Sequence, residues 1–231
     1  MTQQSQRDPS ALAEHFRRFG FVECGPLLEG TLLEEVTVAY EKVVSGTQDA
    51  AEPARGLTGI TGPRLTWLQR PESTHPDIAP APLVDKVRRL AAALLGEAEG
   101  ELVITSRIFY KPPFVGAPIP WHQDAGYRDP DWTGRSLNVW ITLDTVTEDG
   151  PCLRYIPASH ARGLLPHRSV GHDPLEGLVL EAQGVDEDEE VRCGAPAGHA
   201  TAHDCRTLHA SGPNTTPSPR RALVFVCETA R

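Results

Sequence analysis

Trp121-His122-Gln123-Asp124-Ala125-Gly126-Tyr127 sets a histidine and an aspartate two positions apart, directly after a run rich in apolar residues and proline. On an extended segment, residues i and i+2 point to one side. The imidazole and the carboxylate therefore converge on one point. With one further histidine, such a pair makes a facial triad, the ligand set that leaves adjacent coordination positions open at non-haem iron.

Working outward, the chain of 231 residues is long enough to bury its own core, and a single domain over 1–231 is expected. Its net charge of −9 provides no broad basic surface. Nucleic acid and membrane are therefore set aside as partners in favour of a small-molecule substrate. The five cysteines are odd in number and form no Cys-x-x-Cys pair, which fits reduced thiols. The polar start from Met1 to Arg7 has no apolar signal-peptide core, and no apolar run approaches the length of a membrane span. A cytoplasmic location is expected.

Periodicity divides the chain into a helical part over 8–96 and a β core over 101–228. Asp8-Pro9-Ser10 reads as a helix start, with Leu12, Phe16 and Phe19 at helical spacing before Gly20. A second helix is expected over Leu32–Val44 and a third over Asp85–Leu95. Between them, Asp49–Pro71 is broken by Gly and Pro and carries Arg55, Arg64 and Trp67, which could line a site or cover a core edge. The period then shortens toward two. Leu102–Tyr110, Ser136–Val146, Cys152–Ile156, His199–His203 and Arg221–Glu228 read as strands, with Val139, Ile141 and Leu143 alternating against Asn138, Thr142 and Asp144. Residues 164–190 form an excursion ending in the carboxylate run Asp186–Glu190, read as a solvated face. Short strands after a helical cap predict one barrel-like β domain with helices packed outside.

A second His-x-Asp, His75-Pro76-Asp77, lies among prolines and leads into a helix, so Asp77 is read as a turn or cap residue. The third ligand has six candidates: His160, His167, His172, His199, His203 and His209. His209 stands out by its surroundings. His209-Ala210-Ser211-Gly212-Pro213-Asn214 makes a polar turn leading back to a terminal apolar strand that opens with Arg220-Arg221. A guanidinium there can hold a carboxylate in a bidentate pair, and neighbours on a strand face opposite ways.

At these residues the chain resembles the phytanoyl-CoA dioxygenase family of Fe(II)/2-oxoglutarate oxygenases, the branch that includes ectoine hydroxylase. The matching pieces are Lys111-Pro112-Pro113, Trp121-His122-Gln123-Asp124, Asn138-Val139-Trp140-Ile141-Thr142-Leu143-Asp144, Gly150-Pro151 leading to Ile156-Pro157-Ala158-Ser159-His160, and His209 through Asn214 with Arg220. Their order and spacing run from about Phe16 to Glu228. The resemblance implies a mainly β fold with α: a double-stranded β-helix of the jelly-roll or cupin-like kind, with the N-terminal helices outside. It implies Fe(II) on His122, Asp124 and His209 as the catalytic centre, with 2-oxoglutarate as cosubstrate beside dioxygen. It further implies that Arg220 and Ser211 take the distal carboxylate of 2-oxoglutarate and that Trp140 lies beside it. Arg107 occupies a position turned toward the cosubstrate, where the family usually has another residue. His160 is read as structural.

On that resemblance the chain is an oxidoreductase acting on an unactivated C–H bond by hydroxylation or oxidative ring closure, with release of succinate and CO₂. Asp124 stands where related halogenases carry Ala or Gly, which argues against halogenation. A zinc-dependent hydrolase or a non-catalytic ligand-binding protein on the same fold would use the three ligands but leave Arg220 and Ser211 without a task. The acidic balance disfavours a CoA thioester and favours a small polar metabolite, hydroxylated or cationic, such as a glycoside or aminoglycoside in antibiotic biosynthesis. Tyr127, Asp129, Asp131 and Trp132 after the proximal ligands, with Arg64 and Trp67, are the expected substrate contacts.

Overall fold

The computed structural model describes residues 8–48, 58–61, 64–170 and 179–229. His172 and Arg55 lie outside them. The first helix, α1 (Pro9–Phe19), starts where Asp8 Oδ1 accepts from Ser10 N at 3.0 Å, with proline in its first turn. It stops at Gly20, whose φ of 81° suits a residue without Cβ. Helix α2 spans Gly30–Gln48 and α3 spans Ala81–Leu95. The latter starts four residues before its expected position, because Pro82 falls in the first turn, where a missing N–H costs nothing.

Strands β1 (Phe21–Pro26), β2 (Thr58–Thr61), β3 (Thr66–Gln69), β4 (Leu102–Lys111), β6 (Ser136–Thr142), β11 (His199–Asp204) and β13 (Arg220–Thr229) form a seven-stranded sheet in the order β1-β11-β6-β13-β4-β3-β2. Strands β5 (Ile119–His122), β7 (Leu153–Tyr155), β10 (Val191–Cys193) and β12 (His209–Ser211) form a four-stranded sheet in the order β10-β7-β12-β5. A two-stranded ribbon, β8 (His167–Ser169) with β9 (Leu180–Ala182), fills part of the excursion. The arrangement is the jelly roll that the resemblance implied. Strands β2 and β3 are a departure: the Gly- and Pro-broken stretch was read as irregular, yet its second half extends the large sheet by pairing Trp67 with Phe109.

Each face of the large sheet has its own work. Leu137, Val139, Ile141, Leu223 and Phe225 pack with Phe16, Val36, Tyr40, Val87 and Leu94 of the helices. Trp140, Ala222 and Val224 turn inward against Leu153 and Tyr155 of the small sheet. All seven residues of β6 are buried for that reason. Its alternation separates two buried faces, one apolar and one bearing Asn138, Trp140 and Thr142, rather than core from solvent. No helix among the described residues is long and apolar enough to cross a membrane.

The opening of β13 shows what alternation decides. Arg220 points inward opposite Lys111. Arg221 points out, where its Nη2 donates to Asp144 Oδ1 at 2.5 Å, its backbone N–H donates to Asp144 Oδ2 at 2.7 Å, and Nη1 bonds Glu41 of α2. Those bonds, led by the one to Asp144, raise the guanidinium's pKa further. Arg221→Ala leaves Asp144 half-buried without its counter-ion and should lower stability by about 2–3 kcal/mol. Urea unfolding measures the loss, and 2-oxoglutarate binding to the folded variant should stay at the wild-type level.

Candidate active site

The inner face of β5 and β12 carries the two imidazoles. The strands pair antiparallel with His122 opposite His209, and the ring centroids lie 4.1 Å apart. Each ring is oriented by the carbonyl two residues before it: His122 Nδ1 donates to Pro120 O and His209 Nδ1 to Thr207 O, both at 2.9 Å. Both Nε2 atoms are thereby left as lone-pair donors facing inward. Asp124 opens the helical turn Asp124–Tyr127 after β5. Its carboxylate lies 3.7 Å from Nε2 of His122 and 3.7 Å from Nε2 of His209. The three side chains bring ligand atoms within 4.8 Å of one another and can hold one metal ion. Between the two ligands, Gln123 faces away and is fully buried. Its amide donates to Gly163 O and Arg206 O and accepts from Leu165 N, which ties three loops to the ligand turn.

Electrostatics prepare the ligands. Burial raises the pKa of Asp124, but the surrounding imidazoles of His209, His122 and His203 outweigh it and hold the carboxyl well below its ordinary range. Burial, then His122 and His203, hold His209 well below the ordinary histidine value, so it stays neutral and able to coordinate. Asp124 is also held from behind. Asn138 Nδ2 donates to Oδ2 at 2.6 Å, and His203 Nε2 lies 3.4 Å from the same oxygen. His203 Nδ1 and Thr201 Oγ1 each lie 3.1 Å from the buried Tyr155 hydroxyl. His203 thus backs a ligand rather than completing the triad. Asn138 and Tyr155 were not among the expected site residues, and His203 was weighed only as a third ligand. The inward alternation of Asn138 was the one available signal.

Of the other histidines, His160 reaches Arg17 O and packs on Gly20, where an added Cβ would meet its Nδ1 at 2.5 Å. His167 Nε2 accepts from Gln123 N, and His75 Nδ1 meets Thr74 Oγ1 ahead of a turn that includes Asp77. None of the three is among the residues lining the cavity beside the triad.

A cavity of about 340 Å³ opens beside the triad and is lined by His122, Asp124, His209, Trp140, Ser211 and Arg220, with Trp67, Arg107, Phe109 and Tyr127 among its other walls. At its inner end Arg220 is 2% exposed, and its Nε and Nη1 have no hydrogen-bond partner. Its guanidinium sits 5.0 Å from the Trp140 ring, and burial lowers its pKa to about 10. Lys111, fully buried opposite it, donates to Ser211 Oγ at 2.8 Å, Ser211 O at 3.3 Å and Gly212 O at 2.6 Å. With Lys111 donating to Ser211 Oγ, the serine's own proton remains available to a ligand. A buried guanidinium with two partnerless N–H groups and an uncommitted hydroxyl are what a carboxylate would complete, so the residues fit 2-oxoglutarate as well as a metal.

The remaining expected contacts divide. Tyr127 and Trp67 reach the cavity. Arg64 does not; its Nε donates to Val115 O beside a separate depression. Asp129 accepts from Asp131 N, and Trp132 is covered by Arg128 at 4.8 Å; neither lines the cavity.

The phytanoyl-CoA dioxygenase family model matches residues 16–222. A probable alpha-ketoglutarate-dependent hypophosphite dioxygenase of Stutzerimonas stutzeri is 34% identical over 52% of this chain and 42% of its own length. An ectoine dioxygenase of Stutzerimonas stutzeri (strain A1501) is 28% identical over 93% of this chain and 75% of its own length. The chain thus spans less than half of the length of the first of these curated relatives. The crystal structure of EvdO2 from Micromonospora carbonacea var. aurantiaca is 35% identical, covers 95% of this chain and 90% of that one, and superposes with a TM-score of 0.82. Its complex with 2-oxoglutarate superposes with a TM-score of 0.81. With the family model spanning nearly the whole chain, the jelly roll and the His-Asp-His centre fall into place: the chain belongs to the phytanoyl-CoA dioxygenase family.

Proposed function

We propose that the protein oxidises an unactivated C–H bond of a small polar metabolite of the glycoside type, by hydroxylation or oxidative ring closure. The observation that carries the reading is the partnerless guanidinium of Arg220 in the same cavity as His122, Asp124 and His209. A hydrolase has no use for that guanidinium, whereas a five-carbon diacid held at the metal by its 2-oxo acid end does. EvdO2 has been crystallised with 2-oxoglutarate, and the names of two relatives give them small polar substrates, hypophosphite and ectoine. A CoA thioester fits less well, since its phosphates call for a Lys/Arg cluster and the cavity's Arg128 is already bonded to Glu228.

Bound iron with 2-oxoglutarate and dioxygen supplies an oxidant able to take hydrogen from carbon as the cosubstrate becomes succinate and CO₂. The chain's own residues do the placing. His122, Asp124 and His209 would hold the metal with three ligands, which would leave coordination positions for the cosubstrate. Asn138 and His203 restrict Asp124 to one orientation, Arg220 and Ser211 receive the distal carboxylate, and the rings of Trp140, Trp67 and Phe109 exclude water from the reacting end.

Anaerobic Fe(II) with 2-oxoglutarate should give the wild-type protein a weak visible charge-transfer band, which a zinc hydrolase would lack. His122→Ala, Asp124→Ala and His209→Ala should each remove the band and succinate formation while the circular dichroism stays native. His75→Ala should keep both; a folded, inactive His75 variant would reopen the rejected pair. Arg220→Ala removes one partner of a buried charge pair, a loss of about 2–5 kcal/mol, and should weaken 2-oxoglutarate roughly 30-fold to several thousand-fold. Tyr155→Phe frees the His203 ring that backs Asp124 and should weaken Mn(II) binding by about 10-fold, read by electron paramagnetic resonance titration.

A further inference from the structure

The cavity holds a second guanidinium without a partner. Arg107 lies on the inner face of β4, with Gln69 and Val224 as its register neighbours. It has no hydrogen bond or ion pair among the described residues, and its only ring contact is with Trp67 at 5.9 Å. Burial lowers its pKa, and the charge of Asp124 opposes that shift. The other cations of the cavity are committed: Arg128 is bonded to Glu228 and covers Trp132, and Arg220 belongs to the Ser211 end. The carboxylates are committed as well. Asp124 is the one acid among the described lining residues, and it is a metal ligand. A chain of net charge −9 therefore keeps an unneutralised positive charge inside its reaction cavity.

Register places Arg107 to one side of the cosubstrate. Asn138, which touches Asp124, is on β6, and β13 lies between β6 and β4. Val224 of β13 pairs with Arg107 on one side and with Trp140 on the other, so at about 4.8 Å per strand the backbone of Arg107 is about 10 Å to the side of Trp140, which stands two residues along β6 from Asn138. Along β4 it is four residues from Lys111, the register partner of Arg220, or about 14 Å at about 3.4 Å per residue. Arg107 flanks the path from Asp124 to Arg220 on the side of β3, where Trp67 forms the wall. A planar guanidinium matches a carboxylate in a bidentate pair. A single guanidinium balances one carboxylate charge, whereas a phosphate dianion would call for a second cation there.

We propose that Arg107 is the substrate anchor and that the substrate bears a carboxylate on a ring lying against Trp67. This rests on the oxygenase reading and narrows it to acidic glycosides, since an amine would meet the charge of Arg107 and find no free acid in the cavity.

The test uses the full chain loaded anaerobically with Mn(II) and 2-oxoglutarate and titrated with methyl glucuronide, methyl glucoside, methyl glucosaminide and glucose 6-phosphate, followed by tryptophan fluorescence. The glucuronide should bind at least about tenfold tighter than each of the others, a difference of about 1.4 kcal/mol. Arg107→Gln should reduce that preference to less than about twofold and Arg107→Lys should restore part of it, as expected for a charge without the bidentate fork. Both variants should keep 2-oxoglutarate affinity within about threefold of wild type. Three results overturn the proposal: no binding of the glucuronide, equal or tighter binding of the glucoside, the glucosaminide or the phosphate, or a loss of 2-oxoglutarate affinity in Arg107→Gln as large as in Arg220→Ala. Wild-type protein that takes up neither metal nor 2-oxoglutarate defeats the oxygenase reading itself, a separate and visible failure.

Discussion

The antiparallel pairing that sets His122 opposite His209 is the constraint on which the molecule depends. The two residues are 87 positions apart in sequence, and each imidazole gains its orientation from a backbone carbonyl two residues upstream. A slip of one residue would turn one ring out of the cavity, because strand neighbours face opposite ways. Much of the surrounding structure resists that slip. Gln123 ties the ligand turn to three loops, and Ala125 N donates to Cys205 O at 2.8 Å. Tyr155, opposite His209 on the other side of β12, turns its hydroxyl to His203.

The large sheet supplies the second half of the site by the same alternation. Its outer row binds the helices and its inner row meets the cavity, so one strand can stabilise the fold with Val139 and orient a ligand with Asn138. Arg220 and Arg221 divide in the same way, one toward the cavity and the other into a clasp with Asp144 and Glu41. Burying Arg220 and Lys111 side by side is unfavourable in isolation. Lys111 satisfies its three donors with Ser211 and Gly212, and the charge that remains is offered to a ligand.

The long strands were legible in the sequence, β6 by the alternation of Asn138 and Thr142 with Val139 and Ile141, and β4 and β13 by their length and apolar, β-branched content. Of the short ones, β7 was, within Cys152–Ile156, whereas β5 and β12 were not. Strands β5, β7, β10 and β12 have only three or four residues, too few for a period to show, and they exist because the large sheet gives them a surface to cover. Strands β2 and β3 were hidden by Gly and Pro, which describe local freedom and say nothing of the open edge of β4 waiting alongside. His122, Asp124 and His209 could be picked out by spacing, setting and resemblance. His203 and Tyr155 could not, because what matters in them is which neighbour each ring nitrogen or hydroxyl faces, and that is decided by packing. Asp129 and Trp132 suit a substrate by their chemistry, but they stand outside the lining of the cavity and make contacts within their own turn.

The contact between Gly20 and Thr207 bears on how separable the parts of this molecule are. Thr207 Oγ1 donates to Gly20 O at 2.7 Å, and the carbonyl of the same threonine receives the proton of His209 Nδ1. At Gly20 an added Cβ would meet Thr207 Oγ1 at 2.5 Å. The end of the first helix is therefore two hydrogen bonds away from a metal ligand 189 positions further along the chain. The N-terminal helices are not a detachable sleeve on a self-sufficient barrel. A chimera that grafted this β core onto another helical cap would have to carry the Gly20 junction with it, or inherit a misaligned ligand.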